Sequence, residues 1–257
     1  LITDNWLALV IGNSRLHWGY FTGDTLKHSW NTNHLSSSEE LATIFPPQLQ
    51  YLSTQKIPLY LASVVPSQTN LYINQTETQI IQLENISLKG VYPTMGIDRA
   101  LALWGAGCVY GFPCLVIDGG TALTFTGANE EGELIGGAIL PGVRLQLQSL
   151  AVNTAALPAL DLIADLPPRW AKTTPEAIRS GVIYTIIAGI KNFIAHWQGQ
   201  FSLSKIVITG GDAVTLKDYL NQCFPDIAEE IILDSELVFW GMRAVKQISM
   251  TQRSIFN

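Results

Sequence analysis

A short glycine-containing turn occurs twice in this chain, each time after an apolar run of strand character. Gly12-Asn13-Ser14 follows Leu7-Ala8-Leu9-Val10, and Asp118-Gly119-Gly120-Thr121-Ala122-Leu123-Thr124 follows Leu115-Val116-Ile117. A strand that ends in glycine and a small hydroxyl residue turns several backbone N–H groups and one O–H toward a single point, where a phosphate oxygen can accept them. One such turn alone marks an ordinary hairpin more often than an anion site. Two in equivalent halves imply a duplicated fold that closes on a nucleotide. Asp118 opens the second turn, where a carboxylate can hold a cation against phosphates, because hard cations prefer oxygen ligands. The plainer reading of Asp118 is an Asx-turn that stabilises the hairpin.

The chain of 257 residues is long enough for a large core, and the duplicated turns favour two domains over one. With 47% apolar and 14% charged residues, many side chains must be hidden in the interior or at a subunit interface, so an oligomer is expected. A net charge of -6 supplies no cationic field for a nucleic-acid backbone. Cys108, Cys114 and Cys223 lie in apolar surroundings without metal-ligand spacing and read as buried, reduced thiols. Together with the absence of a basic leader at the start of the sequence, they point to the cytoplasm. No apolar run approaches the ~18 residues of a membrane span. His17, His28, His34 and His196 form no zinc-type cluster and read as surface or packing residues.

The pattern predicts strands over 6–11, 15–21 and 26–30, a helix opening at Ser37-Ser38-Glu39-Glu40, a strand over 58–65 and a short helix over 67–74. A helix over 98–110, with Leu101, Leu103, Trp104 and Cys108 on its apolar face, ends the first half. The second half repeats the order. Strands are expected over 115–118, 123–126 and 134–140, then helices over 143–151 and 175–197. A strand over 205–208, a helix over 213–223, a strand over 230–233 and a helix over 236–247 complete the chain. The expected division is 1–113 and 114–257.

Four stretches stand in order along the chain: Val10-Ile11-Gly12-Asn13-Ser14, Gly96-Ile97-Asp98-Arg99, Asp118-Gly119-Gly120-Thr121-Ala122-Leu123-Thr124 and Thr209-Gly210-Gly211. Their order and separation resemble the type III pantothenate kinases. Ser63-Val64-Val65-Pro66, Gly136-Gly137-Ala138-Ile139-Leu140-Pro141-Gly142 and Thr174-Pro175-Glu176-Ala177-Ile178-Arg179-Ser180-Gly181 extend the likeness over nearly the whole chain. The resemblance implies an α/β fold of the actin, hexokinase and Hsp70 superfamily: two ribonuclease-H-like halves with mixed sheets flanked by helices. It implies phosphoryl transfer from ATP to the hydroxyl of pantothenate, the first step of coenzyme A synthesis, in a homodimer that uses Mg²⁺ and a monovalent cation, K⁺ or NH₄⁺.

A carboxylate-bearing alcohol needs a base for its hydroxyl and a cation for its acid end, and Asp98-Arg99 offers both. An Asp at a helix N-terminus stays ionised and can accept a proton, while Arg pairs a carboxylate bidentately. Capping statistics alone would favour an N-cap Asp beside a solvated Arg. The resemblance gives Asp98 the proton-acceptor role, Gly96, Ile97, Asp98 and Arg99 the pantothenate site, and Gly12, Asn13, Ser14, Arg15 and Thr121 the ATP contacts. It assigns the cation to Asp118, the adenosine side to Thr209-Gly210-Gly211, and a substrate contact to Thr174, supplied across a dimer interface. By position, Thr174 would equally serve as an N-cap before Pro175. Tyr92 lines the same pocket or packs beside Pro93.

One residue departs from the pattern. The family's first motif opens with Asp two residues before its glycine, and here that position is Val10. An apolar side chain cannot coordinate Mg²⁺ or its waters, so Asp118, phosphate oxygens and solvent are left to organise the metal. Asp4, further up the same strand, is too distant to substitute. This departure keeps open a non-catalytic accessory or regulatory protein on the same scaffold. A sugar or acetate kinase of the superfamily is a third reading, against which Gly96-Ile97-Asp98-Arg99 argues for an acid substrate.

Overall fold

A computed structural model of the chain describes residues 4–73 and 77–255. It divides into two compact units, residues 1–108 with 236–257, and residues 109–235. The first unit is built on a five-stranded sheet. Strands β1 (Asn5–Ile11), β2 (Leu16–Thr22) and β3 (Thr25–Thr32) form an antiparallel meander; β4 (Leu59–Ser63) and β5 (Thr78–Ile80) add in parallel on the other side of β1, giving the order β3-β2-β1-β4-β5. Helix α1 (Pro66–Thr69) follows β4 and α2 (Ile97–Tyr110) closes this part of the chain.

The second unit repeats the plan. β6 (Cys114–Gly119), β7 (Ala122–Ala128) and β8 (Leu134–Pro141) form the meander, and β9 (Lys205–Thr209) and β10 (Ile231–Leu233) add in parallel beside β6. The order β8-β7-β6-β9-β10 is that of the first sheet, strand for strand. Helices α3 (Val143–Asn153), α4 (Thr174–Gln200), α5 (Ala213–Cys223) and α6 (Pro225–Glu230) belong to this unit, and α7 (Leu237–Ile255) ends the chain. The expected pair of ribonuclease-H-like halves with mixed sheets is therefore present.

Alternation on β1 and β2 sends Leu7, Leu9, Ile11, Leu16, Trp18 and Tyr20 to one face, where they pack with Leu35, Leu49, Leu52 and Tyr72. The opposite face carries Trp6, Val10, His17 and Phe21, and α7 covers it. Phe239 meets both His17 and Phe21, with ring centroids 4.3 Å and 6.4 Å away, and the buried Lys246 reaches Asp4 at 3.1 Å. Helices α2 and α7 cross backbone to backbone at two glycines: a Cβ on Gly105 would run into the Leu237 carbonyl, and one on Gly241 into that of Leu101. The last helix thus belongs with the first unit, which corrects the expected division of the chain at 113/114 into two sequential halves. An apolar stripe shows that a helix is buried, not against which sheet.

In the second unit Leu115, Ile117, Leu123 and Phe125 meet the α4 stripe Ile183, Ile186, Ile187, Ile190 and Ile194. Gly127 leaves room for the Trp197 ring on the sheet. By length and composition α4 alone among the described helices could cross a membrane, whereas no such run was expected; its isoleucine stripe is packed on the sheet. Other expectations shift in detail. The helix expected from Ser37 is a 3-10 helix, Ser38–Thr43, and a second 3-10 helix follows at Pro47–Thr54. The helix expected over 67–74 shrinks to α1, its end at Asn74 lying outside the described residues. Cys114 is buried, but Cys108 is exposed on the last turn of α2, where Val109 is exposed as well, so the covering chain runs out there.

Candidate active site

In the first unit, the turn between β1 and β2 holds Gly12, Asn13, Ser14 and Arg15. Gly12 N–H donates to the Arg15 carbonyl at 3.1 Å, closing the turn, and Asn13, Ser14 and Arg15 are exposed. An open depression of about 440 Å³ beside it is lined by Ser14, Arg15, Asn31, Thr32 and Asn33.

The second constellation of this unit sits at the start of α2. Pro93 at the second position of a turn suits its fixed φ, and Met95 N–H donates back to the Tyr92 carbonyl at 3.0 Å. Gly96 and Ile97 then lead into the helix. Asp98 Oδ1 accepts the Arg99 N–H at 2.9 Å, and a Cβ on Gly96 would lie 2.6 Å from that same oxygen, so only glycine lets the carboxylate fold over the helix start. Asp98 Oδ2 accepts no hydrogen bond among the described residues. Arg99 is buried at 9% exposure, and its Nη1 donates to the Tyr92 hydroxyl at 3.1 Å. A tyrosine that accepts from a guanidinium keeps its own O–H to donate, so the pair can present an O–H beside a cation to a carboxylate.

In the second unit, three turns converge. Asp118 is the last residue but one of β6, paired with Thr124 on β7 and Thr209 on β9, both buried. Gly210 adopts φ +94°, and a Cβ there would collide with Asp118 Oδ1 and the Gly119 carbonyl, so this glycine makes the room that the carboxylate occupies. Gly142, at the head of α3, packs against the Gly120 and Thr121 carbonyls in the same way, and its N–H donates to Thr121 O at 2.9 Å. Asp212 N–H donates to Gly119 O at 2.8 Å, and its buried carboxylate accepts from Arg144 Nε at 2.8 Å. Arg144 and Asp212 tie the turns together across 68 residues of sequence, a link that no motif contains.

Thr174 opens α4, but its N-cap is Thr173, whose Oγ1 donates to Glu176 Oε2 at 2.8 Å. This removes the capping reading of Thr174, whose exposed hydroxyl has no hydrogen-bond partner among the described residues. No group of three or more His, Cys, Asp or Glu side chains suited to a metal occurs among the described residues. Asp118, as a single carboxylate among backbone carbonyls and threonines, fits a cation whose shell is completed by phosphate oxygens rather than a fully protein-bound ion. Val10 is buried and lies opposite His17 and beside Ala62.

A family model for the type III pantothenate kinases matches residues 6–196. The chain belongs to that family. Its members are kinases that phosphorylate pantothenate in coenzyme A biosynthesis. Among its relatives, the type III pantothenate kinase of Nostoc sp. strain PCC 7120 is 47% identical over 263 residues, covering 95% of each chain. The fold is similar to that of a conserved protein of Campylobacter jejuni assigned to the Baf family of transcriptional activators, with a TM-score of 0.65, 21% identity and coverage of 95% of this chain and 99% of that one. MreB 5 of Spiroplasma citri bound to AMPPNP aligns with a TM-score of 0.53 and 10% identity over 98% of this chain and 99% of its own. At these identities the structural likeness concerns the fold alone, an actin-like ATPase architecture that agrees with the duplicated sheets.

Proposed function

We propose that this chain transfers the γ-phosphate of ATP to the primary hydroxyl of pantothenate, giving 4'-phosphopantothenate. The observation that carries this reading is the arrangement at the start of α2: an anchored carboxylate with one oxygen left to accept a proton, next to a buried guanidinium paired with Tyr92. Asp98 Oδ2 takes the hydroxyl proton as the substrate oxygen forms its bond to the γ-phosphorus; the bond from that phosphorus to the β-phosphate oxygen breaks, and ADP departs. Arg99 and Tyr92 hold the pantothenate carboxylate, and Gly96 and Ile97 complete that pocket. Gly12, Asn13, Ser14, Arg15 and Thr121 supply N–H and O–H donors to the ATP phosphates. Asp118 holds the monovalent cation, K⁺ or NH₄⁺. Bound Mg²⁺ and the monovalent cation would neutralise charge on the phosphates.

The active form in this reading is a cytoplasmic homodimer to which each subunit contributes Thr174 at its partner's substrate pocket. The support is a highly apolar composition and the exposed Phe193 on α4 with Ile135 and Ile139 on β8. A coupled assay of ADP release with and without pantothenate tests the function. We expect release that requires pantothenate and K⁺, and a loss on the order of 10²-fold or more in Asp98→Asn, whose amide is no base. Unimpaired turnover in a folded Asp98→Asn protein would overturn the assignment of the base.

A further inference from the structure

The first-unit turn is held by a residue that stands in none of the motifs. His34 Nε2 lies 2.8 Å from the Gly12 carbonyl oxygen. A carbonyl only accepts, so this nitrogen carries the proton. The segment bearing His34 is anchored on both sides. Trp18 Nε1 donates to Thr32 Oγ1 at 3.1 Å, while the Gln68 amide accepts from Leu35 N–H at 3.1 Å and donates to Leu35 O at 3.0 Å. Leu35 itself is buried in the core of the unit. The imidazole therefore reaches the turn from a fixed backbone.

The consequence follows from peptide geometry. Gly12 C=O and Asn13 N–H share one planar trans peptide and point to opposite sides of the chain. A carbonyl drawn toward His34 sends the Asn13 N–H the other way. Asn13 is exposed and makes no hydrogen bond among the described residues. Its neighbours Ser14 and Arg15 line the open depression described above.

We propose that His34 is a positioning residue for the nucleotide: its Nε2–H fixes the Gly12 carbonyl so that the Asn13 N–H is presented to a phosphate oxygen. This rests on the reading of Gly12 to Arg15 as ATP contacts. Calorimetric titration of ADP into the intact protein and its variants, beside steady-state kinetics, tests it. His34→Ala is expected to weaken ADP and raise the KM for ATP about tenfold, the worth of one oriented hydrogen bond. The KM for pantothenate should change less than about twofold, since that site is served by other elements. His34→Gln, whose amide can donate, should regain most of the affinity; His34→Met, of similar volume without a donor, should not.

Equal ADP affinity in the parent and His34→Ala would overturn the inference, as would a pantothenate KM that rises in step with that for ATP. If His34→Ala fails to fold, the Gln and Met variants decide: equal affinities overturn it. A parent protein that binds no nucleotide would overturn the reading of the turn, and this inference with it. A parent that binds while the variants bind equally well overturns the inference alone.

Discussion

Val10 and Asp118 occupy the same place in two copies of one sheet. Each is the last residue but one in the register of a central strand, each precedes a glycine turn by two residues, and each has an antiparallel and a parallel neighbour. What differs is what those neighbours allow. Asp118 stands between Thr124 and Thr209, whose hydroxyls suit a carboxylate, and Gly210 vacates the space that its Oδ1 fills. Val10 stands between His17 and Ala62, and the residue in the register of Gly210 is Ser63, which carries a side chain. Phe239 of α7 packs on the His17 ring. A strand end accommodates a carboxylate when its neighbours supply hydroxyls and an empty volume, which the strand and turn alone do not provide.

The sharpest way to break this comparison is to give the second unit the residue of the first. Asp118→Val should lower kcat/KM for ATP on the order of 10²- to 10³-fold, as loss of a preorganised electrostatic group does, and abolish the response to K⁺. Kinetics over a range of KCl would check it, and a variant that keeps its K⁺ response would show that the two strand ends are equivalent after all. A smaller effect is expected where the space is filled instead. Gly210→Ala combines an unfavourable positive φ with a Cβ driven against Asp118 and the Gly119 carbonyl, and should cost about 3 kcal/mol in urea unfolding. A cost under about 1 kcal/mol would mean that the glycine does not make the pocket.

The parts visible in the sequence are those whose cause is local. The apolar runs ending in Gly12 and Gly120 mark β1 and β6 because a strand and its turn are specified within a few residues. Pro175 marks the start of α4, though the cap proved to be Thr173, one residue ahead of Thr174. β5, three residues at a sheet edge, has no apolar alternation to betray it. The place of α7 was hidden for a different reason: its stripe fits either sheet, and the telling feature is Gly241 in mid-helix, which only makes sense against Gly105. At the candidate site, Gly96 to Arg99 and Asp118 to Thr121 are contiguous and could be read. His34 on Gly12 and Arg144 on Asp212 could not, because 22 and 68 residues separate the partners and no spacing rule connects them.

Restoring a carboxylate at Val10 probes the other half of the comparison. His17 across the strand has its pKa lowered to about 4 by burial, with the Arg15 charge adding to the effect; Glu236 at 3.7 Å pulls the other way and is outweighed. His17 is therefore neutral at pH 7. In the parent, the unfolded chain takes up a proton below its ordinary value of 6.5 while the folded protein does not, so stability falls between pH 6.5 and about 4, by roughly 3 kcal/mol if the whole difference is expressed. In Val10→Asp the new carboxylate shares a face with the imidazole, raises its pKa and forms an ion pair with it. Burying that pair in place of a methyl-lined contact should cost about 2 kcal/mol at pH 7. The acid-side loss should largely disappear, because folded and unfolded states then bind the His17 proton alike. With its charge engaged by His17, the carboxylate is not available to Mg²⁺, and the Mg²⁺ concentration for half-maximal activity should stay as in the parent. Thermal unfolding from pH 4 to 7.5, run beside an Mg²⁺ titration of activity, separates the outcomes. A lowered Mg²⁺ requirement with an unchanged acid-side slope would mean that this strand end faces the nucleotide as Asp118 is proposed to do, and that the two sites differ only in the residue they carry.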